Sequence, residues 1–279
     1  HMGRYRQSAL RDYLFGTLNQ LLDLTTKYSP ELILITGDIF RSKHPSVAAL
    51  TQTGTLLAQV AQVAPVVLIA GNHDITSSTV TTIDVYSNYP NITVVTKPRI
   101  LTYDRFQICA VPWLPQKALI AMGDGTESTA GAINFLMQLL TNQMDEDKFS
   151  ILLAHATALG TDYHDGASST LGSDVLWPND WFREFDVCFL GHIHKPQTVP
   201  GTTNAFYVGS PCPISFNEAG QRKSVILYDD GAVTRIPTRH PHFASVRADE
   251  LSGETDYSNT FLRITKKHGD PDPDVPDCL

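Results

Sequence analysis

The sequence predicts a layered α/β fold in which helices cover both faces of the sheets. Apolar segments short enough to be buried strands alternate with segments of helical periodicity. The chain has 279 residues, of which 42% are hydrophobic and 18% are charged, so a wholly disordered protein is excluded. No apolar run approaches the ~20 residues that cross a bilayer. We therefore expect a globular protein of one large domain, with or without an appendage.

The elements follow one another in a regular order. Leucines at helical spacing predict a helix over residues 8–27, which ends before Ser29 and Pro30. The apolar run at residues 32–36 is typical of a strand buried on both faces. The same alternation predicts helix 45–63, strand 66–70, strand 107–111, helix 133–140, strand 151–154, helix 181–185 and strand 187–190. From about residue 206 the segments are β-rich and are interrupted by Gly and Pro.

The cysteines and the overall charge limit the class of protein. Cys109, Cys188, Cys212 and Cys278 form no C-x-x-C pair, so neither a zinc ribbon nor a disulfide scaffold is predicted. These dispersed cysteines favour a reducing, cytoplasmic location, and no charged-then-apolar leader at the start of the sequence indicates secretion. The 21 Lys+Arg against 29 Asp+Glu give a net charge of −8, which argues against a protein that coats nucleic acid with a broad basic surface.

Side chains that can bind a metal follow four of the predicted strands. They are Asp38, Asn72, His73 with Asp74, His155, and His192 with His194. Because the carboxyl ends of strands in open α/β sheets face the functional crevice, we expect these residues to converge. Positions i and i+2 of extended chain point to the same side, so His192 and His194 can address one crevice. A lone histidine is more often structural, but this set favours a centre for Mn²⁺, Fe or Zn²⁺ over Ca²⁺.

The same residues carry a family resemblance. Gly37-Asp38, Gly71-Asn72-His73-Asp74, His155 and Gly191-His192-Ile193-His194 resemble, in order and spacing, the motifs of the calcineurin-like metallophosphoesterase superfamily. Residues 185–197, Gly209-Ser210-Pro211 and Phe216-Asn217-Glu218-Ala219 are similar to its SbcD branch, the nuclease subunits of DNA double-strand-break repair complexes. The resemblance covers about residues 1–240. It implies a four-layer metallophosphoesterase sandwich, with two central mixed β-sheets flanked by helices.

The resemblance also implies a division of the chain and a set of cofactors. Residues 1–240 would form the nuclease domain, residues 241–268 would begin an accessory DNA-capping segment, and residues 269–279 would form an acidic, Pro-rich tail. The implied cofactors are two divalent metal ions, with Mn²⁺ expected first and Mg²⁺, Fe or Zn²⁺ as alternatives. The implied partners are DNA, an SbcC-like coiled-coil ATPase subunit and, as a further option, a second copy of the chain, with no membrane.

Carried over residue by residue, the resemblance assigns a role to each side chain. Asp38 would bridge two metals, and one site would be completed by Asn72, His155 and His192. His194 would belong to the other site. The catalytic histidine would be His73, which would stabilise the charge of the transition state or protonate the leaving oxygen, and Asp74 would orient it.

The sequence departs from the family pattern at its beginning. The family opens with a strand that ends in Asp-x-His-x-Gly, whereas this sequence begins His1-Met2-Gly3-Arg4. Either His1-Met2 is a cloning scar, or His1 is the metal-binding histidine at the end of that motif. If the strand were truly absent, one metal site would lose its carboxylate, and we would expect weak metal binding and poor catalysis.

The implied reaction is hydrolysis of DNA phosphodiester bonds by a hydroxide that bridges two metals, with 3′ to 5′ exonuclease and single-strand endonuclease action. Arg41, Lys43 and Lys195 lie near the strand ends and favour phosphate contacts. Two alternatives stay open, namely a metallophosphoesterase acting on small nucleotides or other phosphoesters, and a non-catalytic scaffold subunit with an impaired metal site. Trp113, Trp177 and Trp181 are expected in the core or at an interface.

Overall fold

The structure is a computed structural model that describes residues 4–77, 80–123, 128–162, 175–251 and 255–267. His1 and the tail at residues 269–279 therefore lie outside the described residues. Within the described ranges, no helix combines the length and the apolar character that a membrane span requires.

The helices and strands alternate along the first two thirds of the chain, and strands dominate the remainder. The α-helices are α1 (Arg4–Tyr28), α2 (Val47–Val63), α3 (Gln116–Met122) and α4 (Thr129–Thr141). The strands are β1 (Ile33–Ile35), β2 (Val66–Ile69), β3 (Ile92–Val95), β4 (Arg99–Thr102), β5 (Phe106–Val111), β6 (Phe149–His155), β7 (Thr157–Ala158), β8 (Leu176–Trp177), β9 (Val187–Gly191), β10 (Gln197–Thr198), β11 (Ala205–Tyr207), β12 (Ser224–Asp229), β13 (Ala232–Pro237), β14 (His242–Arg247) and β15 (Thr260–Thr265). Short 3-10 helices span Thr82–Tyr86, Asn179–Glu184, Phe216–Glu218 and Ala248–Glu250.

Two sheets form the centre of the molecule. The smaller sheet has the order β1-β2-β3, and both of its strand pairs are parallel. The larger sheet has the order β10-β11-β9-β6-β5-β4, with parallel pairs at its centre and an antiparallel pair at each edge. In the described ranges, therefore, only the larger of these two sheets is mixed.

The two sheets pack face to face. Val67 and Ile69 of β2 share one buried cluster with Ile108, Leu153 and Phe189 of the larger sheet. All four residues of β2 are buried, because this strand is covered on both faces. The continuous apolar run in its sequence is what such a position requires.

Helices cover the outer face of each sheet. Leu57 and Ala61 of α2 pack with Leu68 on the outer face of the smaller sheet. On the outer face of the larger sheet, Ile133 and Met137 of α4 pack with Leu152. The layers run helix, sheet, sheet, helix, and this confirms the predicted four-layer α/β sandwich.

Local sequence signals explain where these helices begin. The side chain of Ser46 accepts a hydrogen bond from the N–H of Ala49 at 3.2 Å, and Ser128 accepts one from Gly131 at 3.0 Å. Both serines are N-caps, so α2 and α4 start where a serine side chain can accept a hydrogen bond from a main-chain N–H of the first turn. The helix predicted over residues 181–185 is a 3-10 helix, Asn179–Glu184.

The segment after residue 240 packs against the first helix. Strands β14 and β15 pair in parallel, and Phe243 and Phe261 stand 4.9 Å apart between ring centroids. The ring of Tyr13 in α1 lies 5.7 Å from that of Phe261. Gln20 of α1 donates to the Arg239 carbonyl at 2.6 Å and accepts from the Arg239 N–H at 2.8 Å. These contacts join α1 to the chain on either side of residue 240, and the division of the chain at that point stays a prediction.

Candidate metal centre

Asp38 lies shortly after β1, in a backbone conformation that few residues adopt. Its φ is 54° and that of Gly37 is 92°, both in the left-handed region. The Oδ1 atom of Asp38 accepts a hydrogen bond from the main-chain N–H of His73 at 2.8 Å. The loop after β1 therefore presents its carboxylate directly to the loop after β2.

The buried Asp74 carboxylate ties these two loops together. Its Oδ2 atom accepts hydrogen bonds from the N–H groups of Asp38 and Gly71, each at 2.8 Å. Burial raises the pKa of Asp74 to about 6, although the hydrogen bond from Gly71 opposes the shift. These hydrogen bonds go to main-chain amides, so Asp74 holds the loop that carries His73 and acts on the backbone.

His155, at the end of β6, directs one ring nitrogen into the site. Its Nδ1 lies 2.7 Å from the Thr36 carbonyl oxygen, which can only accept, so Nδ1 carries the proton and Nε2 keeps a lone pair. That Nε2 lies 3.0 Å from Asn72 Oδ1 and 3.3 Å from Asp38 Oδ2. Burial disfavours the charged imidazole, but the Asp38 carboxylate outweighs it, and the pKa of His155 is raised. Burial likewise opposes the charge of Asp38, yet His155 lowers the pKa of that carboxyl to about 2.

His192 completes the cluster from the end of β9. Its φ of 92° is unusual for a residue with a side chain. In this conformation the Nδ1 atom of His192 lies 3.1 Å from Asn72 Oδ1. The ring of Trp113 stacks on it with centroids 4.9 Å apart and an interplanar angle of 28°. Potential ligand atoms of Asp38, His155 and His192 all lie within 4.8 Å of one another.

The donor set fits a divalent transition metal. The Nδ1 proton of His155 is directed to Thr36, so the Nε2 lone pair faces the oxygens of Asn72 and Asp38 at 3.0 and 3.3 Å. Acceptors that face one another repel unless a cation or a proton lies between them. Two imidazoles, a carboxylate and an amide oxygen suit Mn²⁺, Fe or Zn²⁺.

His194 lies outside this group and has a different partner. Its Nδ1 is 3.2 Å from Oε1 of Glu218, a carboxylate that is completely buried. Burial would raise the pKa of Glu218, but hydrogen bonding to His194 and to Lys223 lowers it to about 2. A carboxylate on Nδ1 leaves Nε2 as the ligand atom, as is usual for histidines that bind metals.

Lys223 anchors the same region from the interior. The residue is only 1% exposed, and its ammonium donates to Glu218 Oε2 at 2.5 Å, to Ser210 Oγ at 2.8 Å and to the carbonyl of His194 at 2.8 Å. Lysine is almost never fully buried unless it is paired. The Glu218–Lys223 pair therefore fixes both the ring and the main chain of His194.

Two glycines allow the loops to approach this closely. A Cβ atom on Gly191 would lie 2.0 Å from the Thr36 carbonyl oxygen, and one on Gly71 would lie 2.2 Å from Asp38 Oδ1. Any side chain at either position would have to displace a main-chain group or a proposed ligand. The Gly-His-x-His and Gly-Asn-His motifs thus contain a packing requirement as well as the metal-binding residues.

The predicted site residues fall into three groups. The structure brings together Asp38, Asn72, His155 and His192, with Asp74 behind them. His73 is exposed and touches the site through its main-chain N–H, whereas His194 is not among the three clustered ligands and contacts Glu218. His1 lies outside the described residues, so its assignment stays a prediction.

Sequence reasoning missed four contributors to the site, namely Thr36, Trp113, Glu218 and Lys223. Trp113, which the sequence predicts in the core or at an interface, is half-buried and stacks on His192. Its main-chain N–H donates to the Ala70 carbonyl at 2.8 Å, shortly after the end of β5. The rule that functional residues follow the carboxyl ends of strands, which selects the histidines, could also have selected Trp113.

The chain is similar to a known protein family and to several known proteins. The family model described as calcineurin-like phosphoesterase matches residues 9–196. The chain is 26% identical over 231 residues to the SbcD subunit of the nuclease SbcCD from Escherichia coli strain K12, and equally to that of strain O157:H7. These matches cover 75% of this chain, and the chain spans 58% of the length of either relative. A solved structure, TT1561 of Thermus thermophilus, is similar with a TM-score of 0.46 and 13% identity over 80% of this chain and 93% of that one.

Proposed function

Because the chain belongs to the calcineurin-like phosphoesterase family, we propose that it is a hydrolase that cleaves phosphodiester bonds of DNA with the help of bound divalent metal ions. The observation that carries the proposal is the convergence of Asp38, His155 and His192, with Asn72 between the two rings. The choice of a nucleic acid is supported by the 26% identity to two proteins named as nuclease subunits, and the choice of DNA follows the resemblance to the SbcD branch.

The proposal assigns the metals to particular residues. Asp38, Asn72, His155 and His192 would hold one ion, and His194 would belong to a second ion that shares Asp38. Mn²⁺ is the first expectation, and Mg²⁺, Fe and Zn²⁺ are alternatives. Such ions, when bound, supply a water of lowered pKa and positive charge for the phosphate oxygens.

The chain's own residues would position the substrate and move a proton. His73 is exposed next to Asp38, and its main-chain N–H is fixed on Asp38 Oδ1 at 2.8 Å. Its ring is thus free to face a phosphodiester, where it would stabilise the developing charge or donate a proton to the leaving oxygen. Asp74 would maintain this arrangement through the main chain, and Trp113 would hold the plane of the His192 ring.

The finer parts of the proposal follow the resemblance to the SbcD branch. We include 3′ to 5′ exonuclease and single-strand endonuclease action, a role in DNA repair and recombination, and an SbcC-like ATPase subunit as partner. The relatives are named as one subunit of a nuclease called SbcCD, and this name supports the existence of a second subunit. A cytoplasmic location is also part of the proposal, and it is supported by the free, buried Cys109, Cys188 and Cys212.

The proposal is tested by following cleavage of end-labelled single- and double-stranded DNA with Mn²⁺ and with EDTA. Bis(p-nitrophenyl) phosphate serves as a small diester. We expect metal-dependent cleavage of DNA that the substitution His155→Ala abolishes and Asp104→Ala, at an exposed position between β4 and β5, leaves intact. Hydrolysis of the small diester without any cleavage of DNA would contradict the choice of substrate, and inertness toward both would contradict the hydrolase.

A further inference from the structure

An open groove of about 570 Å³ lies beside His194. One wall consists of Lys195 and Pro196, which follow His194 directly in the chain, and the other wall lies within residues 217–222. The volume falls in the range of roughly 300–1,000 Å³ that is usual for ligand sites. The groove therefore has room for a ligand at the edge of the candidate metal centre.

Hydrogen bonds fix both walls of the groove relative to His194. Glu218 lies in the second wall's segment, and its Oε1 is 3.2 Å from His194 Nδ1. Lys223, next to Arg222, donates to the carbonyl of His194 at 2.8 Å. Because Glu218 and Lys223 are both buried, the groove cannot shift independently of His194.

The groove is lined by cations and amides. Lys195 and Arg222 supply positive charge, Asn217 and Gln221 supply side-chain amides, and no carboxylate occurs among the described residues that line it. Lys195 forms an ion pair with Asp162, but their side chains are 39% and 38% exposed, and such partly exposed pairs are weak enough to be exchanged for a phosphate. This surface contrasts with the net charge of −8 of the whole chain.

We propose that this surface, the Lys195–Arg222 groove, binds phosphate groups of a DNA strand adjacent to the bond cleaved at the metal centre. The inference rests on the proposed function and extends it. Arginine and lysine contact phosphate oxygens without reading sequence, and side-chain amides can donate to the same oxygens. A DNA strand would span the metal centre and the groove, whereas a mononucleotide would occupy only one of them. The groove would thus select polynucleotides over small phosphoesters.

The groove is tested by binding without turnover. The probe is a 5′-fluorescein-labelled oligodeoxythymidylate of about 16 nucleotides, the upper end of common single-strand site sizes. Fluorescence anisotropy is recorded at low salt with EDTA, so that no cleavage occurs. We expect Arg222→Gln and Lys195→Gln each to raise Kd about tenfold, and the slope of log affinity against log salt to become less negative by about 0.7. Unlabelled dTMP should displace the probe far less well than the unlabelled oligonucleotide at equal phosphate concentration.

Arg183→Gln is the matched control. Arg183 is an exposed arginine in the 3-10 helix Asn179–Glu184, which precedes the amino end of β9, whereas the groove lies beyond the carboxyl end of that strand. Its Kd and salt slope should equal those of the wild-type protein.

Unchanged affinity and salt slope in both groove variants would overturn the proposal, as would equal displacement by dTMP and the oligonucleotide or no binding by the wild-type protein. Cleavage of end-labelled DNA and hydrolysis of bis(p-nitrophenyl) phosphate by the wild-type protein with Mn²⁺ test the proposed function separately. A protein that is inert toward both substrates but binds the strand through Arg222 would keep the groove and contradict the proposed function.

Discussion

At the scale of single residues, the two nitrogens of His155 have different tasks. The Nδ1 proton is fixed on the carbonyl of Thr36 at 2.7 Å, so the Nε2 lone pair is directed into the cluster. His194 is fixed in a similar way by the carboxylate of Glu218. Hydrogen bonds from outside the cluster thus decide which atom of each imidazole can bind a metal.

His73 can be separated from the metal-binding residues by substitution. We expect His73→Ala to retain metal, because its ring is exposed and its main-chain N–H still reaches Asp38, while kcat falls about 10²–10⁴-fold as a proton donor is lost. Metal content is measured by mass spectrometry and turnover with bis(p-nitrophenyl) phosphate. His242→Ala, at an exposed position of β14, is the control and should change neither metal content nor turnover. Retained metal with near-normal turnover would exclude the catalytic role of His73.

Glu218 and Lys223 predict a large effect of one substitution on stability. Glu218→Gln leaves the buried Lys223 ammonium without its counter-charge, and we expect the free energy of unfolding to fall by about 3–5 kcal/mol. Removing both charges with Glu218→Gln and Lys223→Met should recover part of that loss. Urea unfolding measures the difference, and Asp249→Asn, which breaks an exposed pair with Arg247, is the control and should leave the midpoint unchanged.

The same pair predicts a dependence on pH. The pKa of Glu218 is lowered in the folded protein from 4.5 to about 2, so its charged form stabilises the fold above pH 4.5. This stabilisation is lost as the pH falls from 4.5 through about 2. The difference in unfolding free energy between the wild-type protein and Glu218→Gln should therefore shrink over that range. A difference that stays constant down to the lower end of the range would contradict the assignment.

At the scale of elements, the site depends on how closely strand ends approach one another. Gly191 at the end of β9 lies against the Thr36 carbonyl that fixes His155. A methyl group there has no space, because its nearest neighbour would be a main-chain oxygen at 2.0 Å. The distance between the two sheets at this edge is thus set by the absence of a side chain.

We expect Gly191→Ala to move the Thr36 carbonyl away from His155, to lower the unfolding free energy by about 1–3 kcal/mol and to weaken metal binding. Urea unfolding and metal titration measure the two effects. Gly16→Ala is the control. Gly16 is exposed in α1 with nothing within 4 Å of an added Cβ, so alanine should stabilise the protein by about 0.5–1 kcal/mol. Normal metal affinity in Gly191→Ala would show that the close approach is not required.

The sequence predicts elements well where their burial is one-sided or complete. An apolar run predicts a strand at residues 66–70, and the structure has β2 at Val66–Ile69. Helical periodicity predicts a helix at residues 45–63, and the structure has α2 at Val47–Val63. Glu218 and Lys223 could not be assigned a role, because neither type of residue is expected in a protein interior. Their burial follows from a contact with His194, a neighbour distant in the chain. Periodicity thus predicts layers, whereas buried polar pairs depend on the finished fold.

At the scale of the whole molecule, the cluster should couple metal binding to stability. Only the fold brings the ligand atoms of Asp38, His155 and His192 within 4.8 Å of one another, so an ion that binds there stabilises the folded chain. Mn²⁺ at about 100 times its Kd should raise the unfolding free energy by about 2.7 kcal/mol. His155→Ala should abolish most of this gain, and His242→Ala should not. Thermal unfolding with and without Mn²⁺ measures this gain in unfolding free energy. A gain in His155→Ala equal to that of the wild-type protein would contradict the assigned site.

The left-handed backbone of Asp38 has an evolutionary consequence. At a φ of 54° the fold itself favours Asn or Gly, and either replacement needs only a single base change in an aspartate codon. Substitutions that remove the carboxylate proposed to bind the metals would therefore keep a folded protein, and selection for activity alone would eliminate them. In a library of variants sorted first for folding and then for cleavage of DNA, codon 38 should accept Asn and Gly in the first sort and reject both in the second.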